Sequence, residues 1–141
     1  ERGGVVGGSS AGATILGEYL VRGDTRGSGI VMTDEENHQL GFEFIRKVAI
    51  DQHINTRNRW DHIIPLIEQQ PHLLGIGLSE DTAIIVTGDK FEVMGDWMVA
   101  VHDNTRAYQP WEKPYFVLAP GDMYDMRARR IVVPVQVSGT N

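Results

Sequence analysis

The chain has 141 residues, 41% hydrophobic and 23% charged, which is the size and composition of one ordinary globular domain able to bury a proper core. Its 13 Lys and Arg against 19 Asp and Glu leave a formal charge of −6, which argues against a phosphate-neutralising surface for nucleic acid and is compatible with a cationic ligand. It has no cysteine, so disulfides, thiolate catalysis and cysteine-bound zinc are excluded, and no apolar stretch is long enough to cross a membrane as a helix.

The first element is Val5-Val6-Gly7-Gly8-Ser9-Ser10-Ala11-Gly12-Ala13, an apolar run that feeds glycines and serines and then a helix former. Gly8 and Gly12 flank Ser10 in a G-x-S-x-G pattern, in which small neighbours let a serine sit on a sharp strand-to-helix turn with its oxygen exposed. The free amides of the helix start, Ala11 N–H among them, could face a developing oxyanion. A dinucleotide loop beginning at Gly7 would need glycine where Ser9 stands. A phosphate-binding P-loop would need Lys followed by Ser or Thr where Ala13-Thr14 falls. From these residues alone, a tight turn with no chemistry stays open. Such strands lie inside a sheet, and this one begins at about Gly4. The expectation is therefore a single domain portion, residues 1–141, forming the C-terminal part of a longer domain completed by another segment or chain.

Ala11 to about Val21 reads as a helix packing Ile15, Leu16 and Tyr19 and ending at Gly23-Asp24. Residues 22–41 read as a polar, glycine-rich loop whose acidic run Asp34-Glu35-Glu36 is a solvated face. Phe42 to Ile50 becomes strand-like at its end and runs into Asp51-Gln52-His53, polar residues where open α/β sheets place their ligands. Trp60, Ile63, Ile64 and Ile67 recur at helical spacing, which predicts an amphipathic helix over 57–70, bent by Pro65. Arg57 and Arg59 near its start either meet an anionic partner or extend into water.

Leu74 to Leu78 is a short buried strand ending in Ser79-Glu80-Asp81. Thr82 to Thr87, Phe91 to Met94 and Trp97 to His102 read as an antiparallel set whose first two strands join at the Gly88-Asp89-Lys90 turn. Asp103 to Lys113 is loop, and Tyr115 to Leu118 and Ile131 to Val137 are edge or closing strands.

A nucleophilic Ser10 needs a base and a group to orient that base. His53 is best placed, at a strand end. His38 lies in a loop, His62 and His72 on or beyond a helix, and His102 at the end of a peripheral strand. Glu80 or Asp81 would supply the acid. The alternative order Ser10, then Glu80 or Asp81, then His102 leaves Asp51-Gln52-His53 unexplained and ranks below.

Five motifs in order carry a resemblance: Gly-Gly-Ser-Ser-Ala-Gly-Ala at 7–13, Ile-Asp-Gln-His at 50–53, Arg-x-Arg at 57–59, Leu-Gly-Ile-Gly-Leu-Ser-Glu-Asp-Thr-Ala at 74–83 and Pro-Gly-Asp-Met-Tyr-Asp at 120–125. From Gly4 to Val135 the chain resembles the C-terminal half of the cyanophycinases, in the serine peptidase family S51 that also contains aspartyl dipeptidases. The resemblance implies an α/β fold of glutamine-amidotransferase-like (flavodoxin-like) type. This is a three-layer sandwich on a mainly parallel sheet, with an antiparallel excursion towards the C-terminus. It implies Ser10 as nucleophile, His53 as base, Glu80 as acid, and Asp51, Gln52, Arg57 and Arg59 holding substrate, with Ala11 N–H as an oxyanion donor and no metal or organic cofactor. It further implies cyanophycin or a related peptide as substrate, and a homodimer. One departure is His62, which stands where members of the family tend to carry a third arginine.

Overall fold

The computed structural model describes residues 3–21 and 39–134. The expected helix end at Gly23-Asp24, the run Asp34-Glu35-Glu36, His38 and the last part of the closing strand lie outside the described residues.

The longest strand, β2 (Ile45–Gln52), lies at the heart of the fold. Parallel to it run β1 (Gly17–Tyr19) on one side and β3 (Leu74–Leu78) on the other. Then β6 (Val99–Asp103) and β7 (Phe116–Leu118) continue the sheet antiparallel, giving five strands in the order β1-β2-β3-β6-β7. A second, wholly antiparallel sheet joins β4 (Thr82–Thr87), β5 (Lys90–Gly95), β8 (Met123–Asp125) and β9 (Arg130–Val132) in that order. The helices are short: α1 (Ala11–Thr14) and α2 (Ile64–Gln69).

Alternation along the strands sorts the core into two clusters. Val48, Ile50, Leu74, Ile76, Val99 and Val101 cluster with Phe91, Val93 and Tyr124 of the second sheet. Ala49, the residue between two of them, clusters instead with Ile63, Leu66, Ile67 and Leu73 around α2. On that face β3 uses glycine. A Cβ on Gly75 would lie 2.9 Å from the His102 Cβ and 3.1 Å from Ile67, and one on Gly77 would lie 3.1 Å from Ile54.

The architecture is mixed α/β and dominated by sheet. Four expectations change. The helix expected over 11–21 stops at Thr14, because Gly17 to Tyr19 pair with β2 so closely that a Cβ on Gly17 would meet the Val48 carbonyl at 2.8 Å. The helix expected over 57–70 starts only at Ile64, with Pro65 in its first turn, where a residue lacking an N–H loses no hydrogen bond. The described five-stranded sheet is evenly mixed and not mainly parallel, with β1–β2 and β2–β3 parallel and β3–β6 and β6–β7 antiparallel, while the second sheet supplies the expected antiparallel excursion. Finally, β6 is internal, every residue of it is buried, and His102 lies inside the fold. Residues 3–9 join no described strand, and Val5 is fully exposed.

Candidate active site

Parallel pairing of β2 with β3, in the register Asp51↔Gly77 and Gln52↔Leu78, sets the C-terminal ends of the two strands side by side. The chain turns sharply after each. His53 has φ 57° and Asp81 φ 54°, and Ile54 N–H still reaches the Leu78 carbonyl at 3.2 Å. His53 and Glu80 are thereby brought face to face.

Ser10 is delivered from the other direction. Its backbone stands at φ 52° and ψ −125°, a conformation that costs a non-glycine residue about 1–3 kcal/mol and tips the side chain out of the turn. Gly8 makes the turn possible, because a Cβ there would lie 2.2 Å from the Gly12 carbonyl oxygen. Gly12 itself meets nothing within 4 Å, so the close approach belongs to Gly8 and not, as the motif suggests, to the glycine at the helix start.

Ser10 Oγ lies 3.0 Å from His53 Nε2, and His53 Nδ1 lies 2.7 Å from Glu80 Oε1. With the ring proton on Nδ1, His53 donates to the carboxylate and accepts from the serine. Thr56 Oγ1 donates to the same Glu80 oxygen at 2.9 Å, and Asn55 Oδ1 accepts from Glu80 N–H at 2.9 Å. The Thr56 bond first, and the His53 bond after it, hold the Glu80 carboxyl below the ordinary carboxylate range. Of the two acids at this strand end, Glu80 and not Asp81 meets the imidazole. Ala11 N–H opens α1 beside Ser10, one of the amides that a helix start leaves without an internal acceptor.

The expected substrate residues divide. Arg57 is exposed on the turn after His53. Asp51 is 2% exposed, and its carboxylate takes His62 Nδ1 at 2.7 Å and Gln52 N–H at 2.9 Å, with Arg59 Nη1 at 4.0 Å. A ligand would meet that acid only through its neighbours. Gln52 Oε1 is buried with no hydrogen-bond partner. His102, the alternative base, lies 4.7 Å from the Tyr115 ring, and burial pushes its pKa down to about 4.

Thr56 and Asn55 are the residues of this cluster that sequence reasoning passes over. Their signal is a pair of short polar side chains two and three positions after a strand-end histidine, types that bond locally in turns. Among the described residues no group of three or more His, Cys, Asp or Glu could hold a metal ion. A groove of about 920 Å³ opens elsewhere, at the β2 and β3 starts among Arg46, Lys47, Leu74 and Arg127. Ser10 and Glu80 face open solvent.

A family profile, that of Peptidase family S51, matches residues 1–94. The cyanophycinase of Geminocystis herdmanii is 33% identical over 105 residues, covering 70% of this chain and 36% of the relative. That of Trichormus variabilis is 35% identical over 104 residues, covering 70% and 33%. That of Synechococcus elongatus is 28% identical over 143 residues, covering 90% and 44%. The chain thus spans roughly a third to somewhat under half the length of these relatives. In fold it is similar to the crystal structure of a peptidase from an acI-B1 Actinobacterium, with TM-score 0.54, 23% identity, and coverage of 82% of this chain and 43% of that one.

Proposed function

The chain belongs to peptidase family S51, and from that premise we propose that it carries the nucleophile, base and acid of a serine-type hydrolase that cleaves aspartyl peptide bonds. Its proposed substrate is cyanophycin, a poly-aspartate with arginine on each side-chain carboxyl, released as β-Asp-Arg. The observation that carries the reading is the continuous chain Ser10 Oγ, His53 Nε2, His53 Nδ1, Glu80 Oε1, with links of 3.0 and 2.7 Å.

In this mechanism Ser10 Oγ attacks the scissile carbonyl while His53 Nε2 takes its proton. Ala11 N–H donates to the oxyanion, and Glu80 holds the imidazole in the required tautomer and stabilises it once protonated. His53 then passes the proton to the leaving amine. Water, deprotonated by the same nitrogen, attacks the acyl-enzyme; as the ester breaks, His53 returns the proton to Ser10 Oγ. Arg57 and Arg59 grip a substrate carboxylate, and Gln52 Oε1 accepts from a substrate N–H.

In the same reading the described strands are the C-terminal part of a glutamine-amidotransferase-like three-layer sandwich. The further length that the relatives possess supplies the strands beside residues 3–9, a second oxyanion donor and the cover over Ser10. The working form is a homodimer, to be checked by light scattering.

The experiment is release of β-Asp-Arg from cyanophycin by the intact protein, with Ser10→Ala as control and a panel of small aspartyl dipeptides beside it. Serine-dependent release is expected, and release by Ser10→Ala would refute the assignment. The enclosure of Asp51 by His62 favours a second reading, an aspartyl dipeptidase or isopeptidase for small peptides, because that carboxylate is already engaged and does not stand open to an arginine side chain. Turnover of the dipeptides alone would select it. No serine-dependent cleavage of either would instead point to a non-catalytic binding subunit.

A further inference from the structure

The turn that carries the base also holds the acid. Three of the four residues His53 to Thr56 reach Glu80: His53 and Thr56 meet at Oε1, and the Asn55 side chain takes the Glu80 backbone amide. Ile54 ties the same turn to the end of β3 through the Leu78 carbonyl, and Arg57 N–H closes it onto the His53 carbonyl at 3.1 Å. Such fastening has a physical purpose, because the Glu80 side chain is 43% exposed. A glutamate at that exposure keeps much of its rotamer freedom, and a carboxylate in water exchanges one donor for another at little cost. Without further contacts it would aim at the imidazole only part of the time.

From this geometry we infer that Thr56 is a positioning residue of the serine relay, its hydroxyl fixing the Glu80 carboxylate on His53 Nδ1. The inference rests on the proposed hydrolase chemistry and adds a residue to it. Thr56 sits three positions after His53, so the two donors converge on one oxygen from one turn of chain. Neither can drift from the acid without straining the other. The bond also helps keep Glu80 ionised, the state in which it can support an imidazolium.

The test uses the intact protein and a fluorophosphonate ester, which labels an activated serine without needing the natural substrate. In Thr56→Val, a near-isosteric change, labelling of Ser10 should slow about tenfold, and Thr56→Ser should restore the rate to within about twofold of the parent. In a Glu80→Gln background Thr56→Val should cost nothing further, because the carboxylate it positions is gone. Equal slowing in both backgrounds, or a serine variant as slow as the valine one, would show a merely structural role and overturn the inference. A Thr56→Val protein that labels at the parental rate would overturn it as well, while leaving Ser10 chemistry in place. If the parent protein itself takes no label at Ser10, the hydrolase reading fails, and Thr56 with it.

Discussion

Ser10 occupies a backbone conformation that only glycine adopts freely, and under the proposed chemistry this sets stability against function at a single residue. Replacing it with glycine should relieve the strain and raise unfolding stability by about 1 kcal/mol, while Ser10→Ala keeps the strain and changes stability little. Neither variant should hydrolyse substrate, since both lose the oxygen. Paired denaturation curves check this. If the alanine variant gained as much as the glycine one, backbone strain would not be the cause. Glu80 shows the opposite economy. Its lowered pKa means that the ionised form is favoured in the fold, so its contribution is present at neutral pH and is lost only as pH falls through a value below the ordinary 4.5.

At the scale of the element, the turn before α1 and the strand β6 each make a checkable claim. Gly8→Ala should abolish fluorophosphonate labelling of Ser10, because its Cβ would lie within 2.2 Å of the Gly12 carbonyl oxygen, whereas Gly12→Ala meets nothing and should label normally. Equal loss in both variants would place the steric demand elsewhere. On β6, burial holds His102 neutral against the opposing pull of Asp51 and Asp61. Its pKa is about 4 in the fold against 6.5 when exposed, so between those values the unfolded chain binds more protons and stability falls as pH drops. The loss approaches roughly 3 kcal/mol below pH 4. His102→Phe keeps a ring against Tyr115 and should flatten that part of the stability profile; an unchanged profile would clear His102 of the effect. The two elements also show what was legible in the sequence. The strands at 74–78 and 82–87 were readable because alternation or a continuous apolar run sets their limits; small residues and a strand end single out Ser10 and His53 as candidates, while the strand end alone left Glu80 and Asp81 both open as the acid. Strand β1 was not, since Ile15, Leu16 and Tyr19 suit a helix until the parallel neighbour β2 is known. Strand β8 hides its three residues among turn formers. His102 looks peripheral until β6 crosses back into the first sheet.

At the scale of the molecule, the second sheet is set against the first by an apolar seam and, among the described residues, by a polar joint at Asp103. Asp103, at the end of β6 and 2% exposed, accepts at Oδ1 from Thr105 N–H at 3.0 Å, Thr105 Oγ1 at 2.6 Å and Arg129 Nη1 at 3.2 Å. Arg129 precedes β9 of the other sheet and also donates through Nη2 to the His72 carbonyl at 2.8 Å, so one guanidinium joins both sheets and the segment between α2 and β3. Removing it leaves a buried carboxylate served by Thr105 alone. Breaking a buried pair costs about 3–5 kcal/mol, and the two remaining bonds put the expectation for Arg129→Met below that range, at about 2–3 kcal/mol. Adding Asp103→Leu to it should recover part of that loss, because the stranded charge is then gone as well. The joint lies beside Leu74, and Glu80 follows Leu78, so about 13 Å of strand separates it from the serine relay. Folded Arg129→Met should therefore still label at Ser10 at the parental rate while unfolding at lower denaturant. A loss below about 0.5 kcal/mol would mean that the apolar seam alone holds the sheets together. A loss of labelling in the folded state would mean that the angle between the sheets, and not only the β2–β3 register, places His53 and Glu80.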